Sequence, residues 1–195
     1  MKKNYEMDMC SGPILGKLLT FTIPLIFSGI LQLLFNAADV IVVGRFAGSQ
    51  SLAAVGSTTA LINLMINIFI GLSVGVNVIV ARYYGAKREK DVQDTIHTAM
   101  ALSIVSGLFL IILGQLLSRP MLELMGTPDD VIDKSTIYMR IIFIGMPANM
   151  IYNFGSAILR AVGDTKRPLY FLTAAGVINV VLNLFFVIMF RMDVA

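Results

Sequence analysis

The chain has 195 residues, of which 57% are hydrophobic and only 14% are charged, and its mean hydropathy is +0.82. Soluble domains have about a quarter of their residues charged, so this composition excludes an ordinary water-soluble protein and indicates a membrane protein. The net charge of +3 does not indicate nucleic-acid binding, because the basic residues occupy short gaps between apolar stretches. The single cysteine, Cys10, excludes an internal disulfide and a cysteine-based metal cluster.

Five apolar stretches are long enough to cross a bilayer, which takes about 20 residues in a helix. We predict helices over about 18–43, 52–81, 95–117, 135–159 and 169–190, after an N-terminal tail over 1–17. Every gap between these stretches contains glycine or proline, which favour turns over helix. All the gaps are short, which favours antiparallel packing of neighbouring helices. The predicted fold is therefore all-α, a polytopic transmembrane helix bundle over 18–195.

The charge of the gaps alternates along the chain and predicts the orientation in the membrane. Basic residues concentrate before the first helix and in the second and fourth gaps: Lys2, Lys3, Lys17, then Arg82, Lys87, Arg88, Lys90, then Arg160, Lys166, Arg167. The third gap is acidic instead, with Glu123, Asp129, Asp130 and Asp133. Because cytoplasmic loops carry an excess of Lys and Arg, we predict that the N-terminus of this multi-pass protein lies in the cytoplasm.

The first helix contains one acidic residue, Asp39, within the apolar run LLFNAADVIVVGRF. Ionisable residues inside a membrane span are costly and are functional candidates by default. A carboxyl group in this setting can hold a proton or release it in exchange for a cation, which is the chemistry of an ion exchanger. The structural alternative is an acid paired with Arg45. Pro24 interrupts the same helix and is either a static kink or a hinge that bends when the charge of Asp39 changes.

Polar residues recur at helical spacing in four of the five predicted helices. The stripes are Ser28, Gln32, Asn36 and Asp39; Thr59, Asn63 and Asn67; Asn149, Asn153, Ser156 and Arg160; Gly176, Asn179 and Asn183. Each asparagine alone is explained by interhelical hydrogen bonds, worth about 0.6–2 kcal/mol. Four stripes and a carboxylate together predict a polar cavity. We expect Asn36, Asn179 and Asn183 beside Asp39 at a proton or cation site, and Gln32, Asn63, Asn149 and Asn153 around the substrate.

The sequence lacks the residue patterns of an enzyme. It has no glycine-rich phosphate loop, no His and Cys spacing typical of a metal site, and no serine next to a plausible base. The segment GLSVG places Ser73 between glycines, but it lies inside an apolar helix and not at the strand-to-helix turn that a nucleophilic serine needs. We therefore predict a protein that is not an enzyme and binds no metal.

Several segments resemble the multidrug and toxic compound extrusion (MATE) family, in particular its DinF-like bacterial branch. They are GPILGKLLTFTIPLI, FNAADVIVVGRFAGSQSLAAVG, VNVIVARYYGAKREKD, ILRAVGDTKRPLY and GVINVVLNLFFV. The resemblance runs from near Gly12 to about Phe190. The first-helix Asp segment and the GDTKRP loop are its most specific parts.

This resemblance implies a secondary antiporter that expels organic cations in exchange for sodium ions or protons, without a cofactor, across the bacterial inner membrane. Members have twelve helices in two lobes, so this chain resembles most of an N-terminal lobe. Its implied partners are small organic cations, membrane lipids, and a missing C-terminal lobe or a second copy, with no nucleic acid. Asp39 then matches the family's first-helix carboxylate, Pro24 its first-helix proline, and Asn179 the asparagine of its fifth-helix motif.

The chain departs from the family pattern at two positions. Phe35 stands where a tyrosine is common, and Asn183 stands where an aspartate is frequent. A site with one fewer carboxylate puts sodium binding in doubt and makes Asp39 more important. Two rival hypotheses remain: a lipid or polysaccharide flippase of the same superfamily, for which a basic cavity is typical, and a non-transporting membrane scaffold or partner subunit. Asparagines and one aspartate favour cationic or neutral cargo over the anionic cargo of a flippase.

Overall fold

The computed structural model describes residue 7 and residues 13–46 and 49–189. Within these residues, six α-helices follow one another and no strand occurs: α1 Ile14–Phe46, α2 Ser49–Gly85, α3 Glu89–Leu124, α4 Asp129–Ile144, α5 Met146–Ala161 and α6 Lys166–Met189. The predicted N-terminal tail lies mostly outside the described residues, and its last four residues form the first turn of α1. The all-α prediction is confirmed.

Four helices, α1, α2, α3 and α6, are long and apolar enough to cross a membrane. The pair α4 and α5 passes the same test as a single span bent by 47°. In the described part of the chain the count is thus four or five spans, which confirms the prediction of about five.

The predicted helix over 135–159 is divided at Gly145, between α4 and α5. Pro147 explains the break, because its ring has no N–H to donate to the carbonyl of Phe143 and clashes with that preceding turn. The N–H of Gly145 donates to the carbonyl of Ile142 instead, three residues back, at 3.0 Å. A bend therefore replaces the straight helix that hydropathy alone predicts.

Helices α2, α3, α4 and α5 pack together into one unit. Its buried core draws on all four helices and includes Leu61, Ile62, Leu110, Leu122, Met139, Phe143, Met146, Met150 and Phe154. Small side chains on one face of α3 let α4 and α5 approach closely. A methyl group added to Gly114 would overlap the ring of Phe143, and one added to Gly107 would overlap Pro147. This unit is consequently tightly packed around the bend.

Helices α1 and α6 form a second unit and pack mainly against each other. Elsewhere their large apolar side chains are exposed, among them Leu18, Ile26, Phe27, Leu33, Leu34, Val177, Ile178 and Val181. Apolar patches this extensive are rare on soluble monomers. They fit contact with lipid or with further protein.

The turn between α5 and α6 contains the GDTKRP segment, and its residues have structural roles. Gly163 has a φ of +86°, and the backbone of Met7 lies directly against it. The fully buried carboxylate of Asp164 accepts hydrogen bonds through Oδ1 from the backbone N–H groups of Lys166 and Arg167, both at 3.1 Å. The Nε of Arg167 lies 3.2 Å from Oδ2. Asp164 therefore caps the N-terminus of α6.

Candidate functional site

Asp39 and Asn183 meet between α1 and α6, although they are 144 positions apart in the sequence. The side-chain amide of Asn183 donates from Nδ2 to Oδ1 of Asp39 at 2.8 Å, and both residues are partly buried. A hydrogen bond to a charged group stabilises by about 1.5–3 kcal/mol. Among the described residues, no other side chain donates to this carboxylate, so Oδ2 can take a proton or contact a cation.

Tyr138 of α4, which the sequence analysis did not single out, is partly buried and interacts electrostatically with Asp39, although no close helix contact joins α4 to α1 in the described chain. Nothing in the spacing of residues could have indicated this, because Tyr138 belongs to a different helix whose distance from Asp39 depends on how the two units pack.

Arg45, the partner of Asp39 in the structural alternative, forms no ion pair with it in the described part of the chain. The side chain of Arg45 is exposed near the end of α1. Among the described residues, Asp39 is thus paired with a neutral amide and not with a cation, and an amide leaves the carboxylate charge uncompensated.

Asn36 and Asn179 lie within one helical turn of Asp39 and Asn183, respectively, and both are exposed. No hydrogen bond joins either of them to Asp39 within the described residues. Gln32 is likewise exposed on α1. The structure therefore brings two of the four residues predicted for the cation site into contact and leaves the other two on exposed helix faces a turn away.

Two of the asparagines predicted for the substrate cavity bond to each other within one helix, and the third accepts a hydrogen bond through its backbone. On α5, Asn153 donates from Nδ2 to Oδ1 of Asn149 at 2.6 Å. On α2, Asn67 donates to the backbone carbonyl of the exposed Asn63 at 2.7 Å. The structural explanation of the stripes, interhelical hydrogen bonding, applies instead to Asn77. Its side chain donates to the carbonyl of Ala157 at 2.7 Å and joins α2 to α5. That Asn63, Asn149 and Asn153 surround a substrate stays a prediction.

Pro24 is buried within α1, and the helix continues through it. Because proline has no N–H, the carbonyl of Thr20 has no partner in the helical ladder at this point. The hydroxyl of Ser28 donates to the carbonyl of Pro24 at 2.8 Å. The hydrogen-bond ladder of α1 is thus interrupted at Pro24, on the N-terminal side of Asp39. Both a static kink and a hinge would need such an interruption.

Comparison with known proteins places these residues in a wider context. The family model MatE matches residues 24–185 of this chain. The chain is 35% identical over 162 residues to a probable multidrug resistance protein, YoeA, of Bacillus subtilis (strain 168). That match covers 83% of this chain and 35% of YoeA.

Two solved structures share the fold. They are crystal structures of MATE in the straight conformation and in the bent conformation, with TM-scores of 0.84 and 0.85. Each is 26% identical to this chain and matches 91% of it, which corresponds to 39% and 40% of the two solved chains. This chain therefore spans roughly two fifths of the length of the proteins that it matches.

Proposed function

Since this chain belongs to the MatE family, we propose that it is part of a secondary active multidrug efflux antiporter. The whole protein exports cationic or other drug-like organic compounds in exchange for protons or sodium ions and uses no cofactor. The observation that carries the proposal is the hydrogen bond between Asp39 and Asn183, which places a carboxylate between two helices inside an apolar span. The matched family consists of transporters and not enzymes.

In the coupling step, the coupling ion binds the oxygen of Asp39 that Asn183 does not contact. Charged Asp39 accepts the amide hydrogen of Asn183 through one oxygen and has the other oxygen for a proton or cation. Binding neutralises the carboxylate, which removes the cost of holding a charge in the span. Asn36 and Asn179, a turn away, supply neutral amide oxygens for a cation. Sodium and protons therefore compete for one site.

Movement of α1 connects this binding event to export. The weakened turn at Pro24 lets α1 bend when the charge of Asp39 changes, which shrinks the cavity and displaces substrate outward. The resemblance to MATE structures in straight and bent conformations supports a moving element of this kind.

The chemistry of the polar residues predicted for the cavity favours a cationic or neutral substrate. Gln32, Asn63, Asn149 and Asn153 are uncharged, and Asp39 is the only acidic residue well inside a span predicted from the sequence. A flippase for anionic head groups typically has a cavity lined with basic residues. We place the basic α2–α3 and α5–α6 turns, and with them the N-terminus, in the cytoplasm of the bacterial cell.

Ion-coupled efflux of an organic cation dye tests the role of Asp39. We expect Asp39→Asn to reduce efflux driven by a proton or sodium gradient by at least about tenfold, because a coupled step worth about 1.4 kcal/mol or more is removed. Asp94→Asn is the matched control, since Asp94 is an exposed carboxylate near the start of α3. It should leave efflux unchanged.

The same variants separate a transporter from a scaffold. If Asp39 serves only helix packing, Asp39→Asn lowers thermal stability and protein abundance but leaves the ion dependence of any flux as it was. Wild-type efflux by an Asp39→Asn protein of normal abundance would refute the proposed role of Asp39.

A further inference from the structure

The side chain of Phe35 fits onto the bare backbone of Gly176, where α1 and α6 pack together. A methyl group built on Gly176 would overlap three carbons of the Phe35 ring, Cδ2, Cε2 and Cζ. Gly176 is buried and Phe35 is partly buried. With the Phe35 ring in this position, the contact leaves room only for glycine at position 176.

This contact and the Asp39–Asn183 hydrogen bond belong to the same helix interface. Phe35 precedes Asp39 by four residues, about one turn, so both side chains point from the same face of α1. Gly176 precedes Asn183 by seven residues, about two turns, which again gives a common face on α6. From the Phe35–Gly176 pair to the Asp39–Asn183 pair, residue numbers rise along both helices. The helices α1 and α6 therefore run parallel along this contact.

We propose that Phe35 and Gly176 are positioning residues, which set the separation and register of α1 and α6 at which Asn183 reaches Asp39. The proposal rests on the proposed function, in which Asp39 carries the coupling ion. A hydrogen bond at 2.8 Å has little tolerance, since lengthening by less than one ångström ends it. An added methyl group at position 176 displaces the Phe35 ring by more than that.

A glycine can also serve helix packing alone, in which case only stability depends on it. A packing role and a positioning role differ in their effect on the protonation of Asp39. A packing role leaves the protonation of Asp39 unchanged in any variant that folds, whereas a positioning role changes it whenever the contact changes.

The experiment measures protonation of Asp39 directly, by infrared spectroscopy of the purified protein over a range of pH. The carbonyl stretching band that is absent from Asp39→Asn identifies the protonated Asp39 side chain. Asn183→Leu, which removes the donor, defines how far the titration midpoint moves when the hydrogen bond is lost. We expect about one pH unit, because the bond is to a charged group.

Gly176→Ala should shift the midpoint in the same direction as Asn183→Leu and by at least half as much. Gly75→Ala is the matched control, since a methyl group at Gly75 meets no atom within 4 Å, and it should leave the midpoint unchanged. In the double variant Phe35→Ala/Gly176→Ala the ring that the methyl group displaces is gone. The clash is therefore absent in the double variant, and its midpoint should shift by less than the sum of the two single shifts.

A wild-type midpoint in folded Gly176→Ala overturns the inference, and so does a double variant whose shift is the sum of the two single shifts. If Gly176→Ala does not fold, Phe35→Leu decides, because it loosens the same contact without a clash and should also shift the midpoint. The proposed function is judged separately by efflux. If Asp39→Asn loses efflux but folded Gly176→Ala keeps the wild-type midpoint, only the positioning role is refuted. If Gly176→Ala shifts the midpoint but Asp39→Asn keeps wild-type efflux, only the coupling role is refuted.

Discussion

Asp164 and Asp39 are both carboxylates with reduced exposure, but their surroundings give them different properties. Asp164 is fully buried, accepts two backbone hydrogen bonds and has the guanidinium of Arg167 beside its second oxygen. Asp39 is only partly buried and accepts one hydrogen bond from a side chain. Asp164 is therefore committed to holding α6 in place, whereas Asp39 has bonding capacity left for a proton or cation.

The capping role of Asp164 predicts a loss of stability. We expect Asp164→Ala to lower the free energy of unfolding by at least about 1 kcal/mol, because α6 loses its N-terminal cap. The measurement is the Tm of the purified protein. Asp164→Asn keeps an oxygen acceptor and should retain most of the stability, and Asp94→Ala, at an exposed position, should have no effect. Equal Tm values for Asp164→Ala and the wild type would contradict the capping role.

Among the helices, α1 and α3 differ in how tightly the surrounding protein holds them. The small face of α3 lies against the bend between α4 and α5, so close that Gly107 and Gly114 cannot carry a methyl group. Helix α1 instead exposes most of its large apolar side chains, and its proline, Pro24, lies well inside the helix, whereas Pro120 lies close to the C-terminal end of α3. A change of shape in α3 disrupts a packed core, whereas α1 can bend at Pro24 while that core stays intact.

The hinge at Pro24 is tested by restoring the missing hydrogen bond. Pro24→Ala supplies an N–H for the carbonyl of Thr20 and removes the ring that crowds it. We expect a stiffer α1 and efflux reduced by at least about tenfold, with proton binding at Asp39 preserved in the infrared titration. Pro120→Ala is the control, since Pro120 also lies inside a helix but is exposed near the end of α3. Undiminished efflux in Pro24→Ala would leave the proline a static kink.

At the scale of the whole molecule, the described chain consists of the α2–α5 unit and the α1–α6 pair, joined by lesser contacts of α1 with α2 and α6 with α5. The candidate cation site lies within the pair. The polar residues Gln32, Asn36 and Asn179 are exposed on the pair, as are Asn63 and Asn149 on the other unit. In a transporter that exchanges cargo across the membrane, a second lobe has to cover such residues and rock against this one.

The native size of the protein tests whether that second lobe is part of the same polypeptide. The chain of 21.3 kDa matches 35% of YoeA and about 40% of the solved MATE chains. We therefore expect a native product of more than twice this mass when the protein is extracted from its own membrane and measured by mass spectrometry. A native product of 21.3 kDa would mean that a second copy or another subunit completes the transporter, and the scaffold hypothesis would gain support.

The sequence by itself determined the membrane location, the all-α class and the approximate spans, and it selected Asp39 as the candidate proton or cation site. These follow from hydropathy and helical period, because lipid forces long apolar helices and makes a single carboxylate costly wherever it falls. Only the tertiary structure decided the partner of Asp39, the electrostatic interaction of Tyr138 with it, the fit of Phe35 onto Gly176 and the packing of the small face of α3 against the bend. Each depends on how helices distant in sequence are rotated and spaced against one another. That arrangement results from the packing of side chains on both helices, and no spacing along one chain segment encodes it.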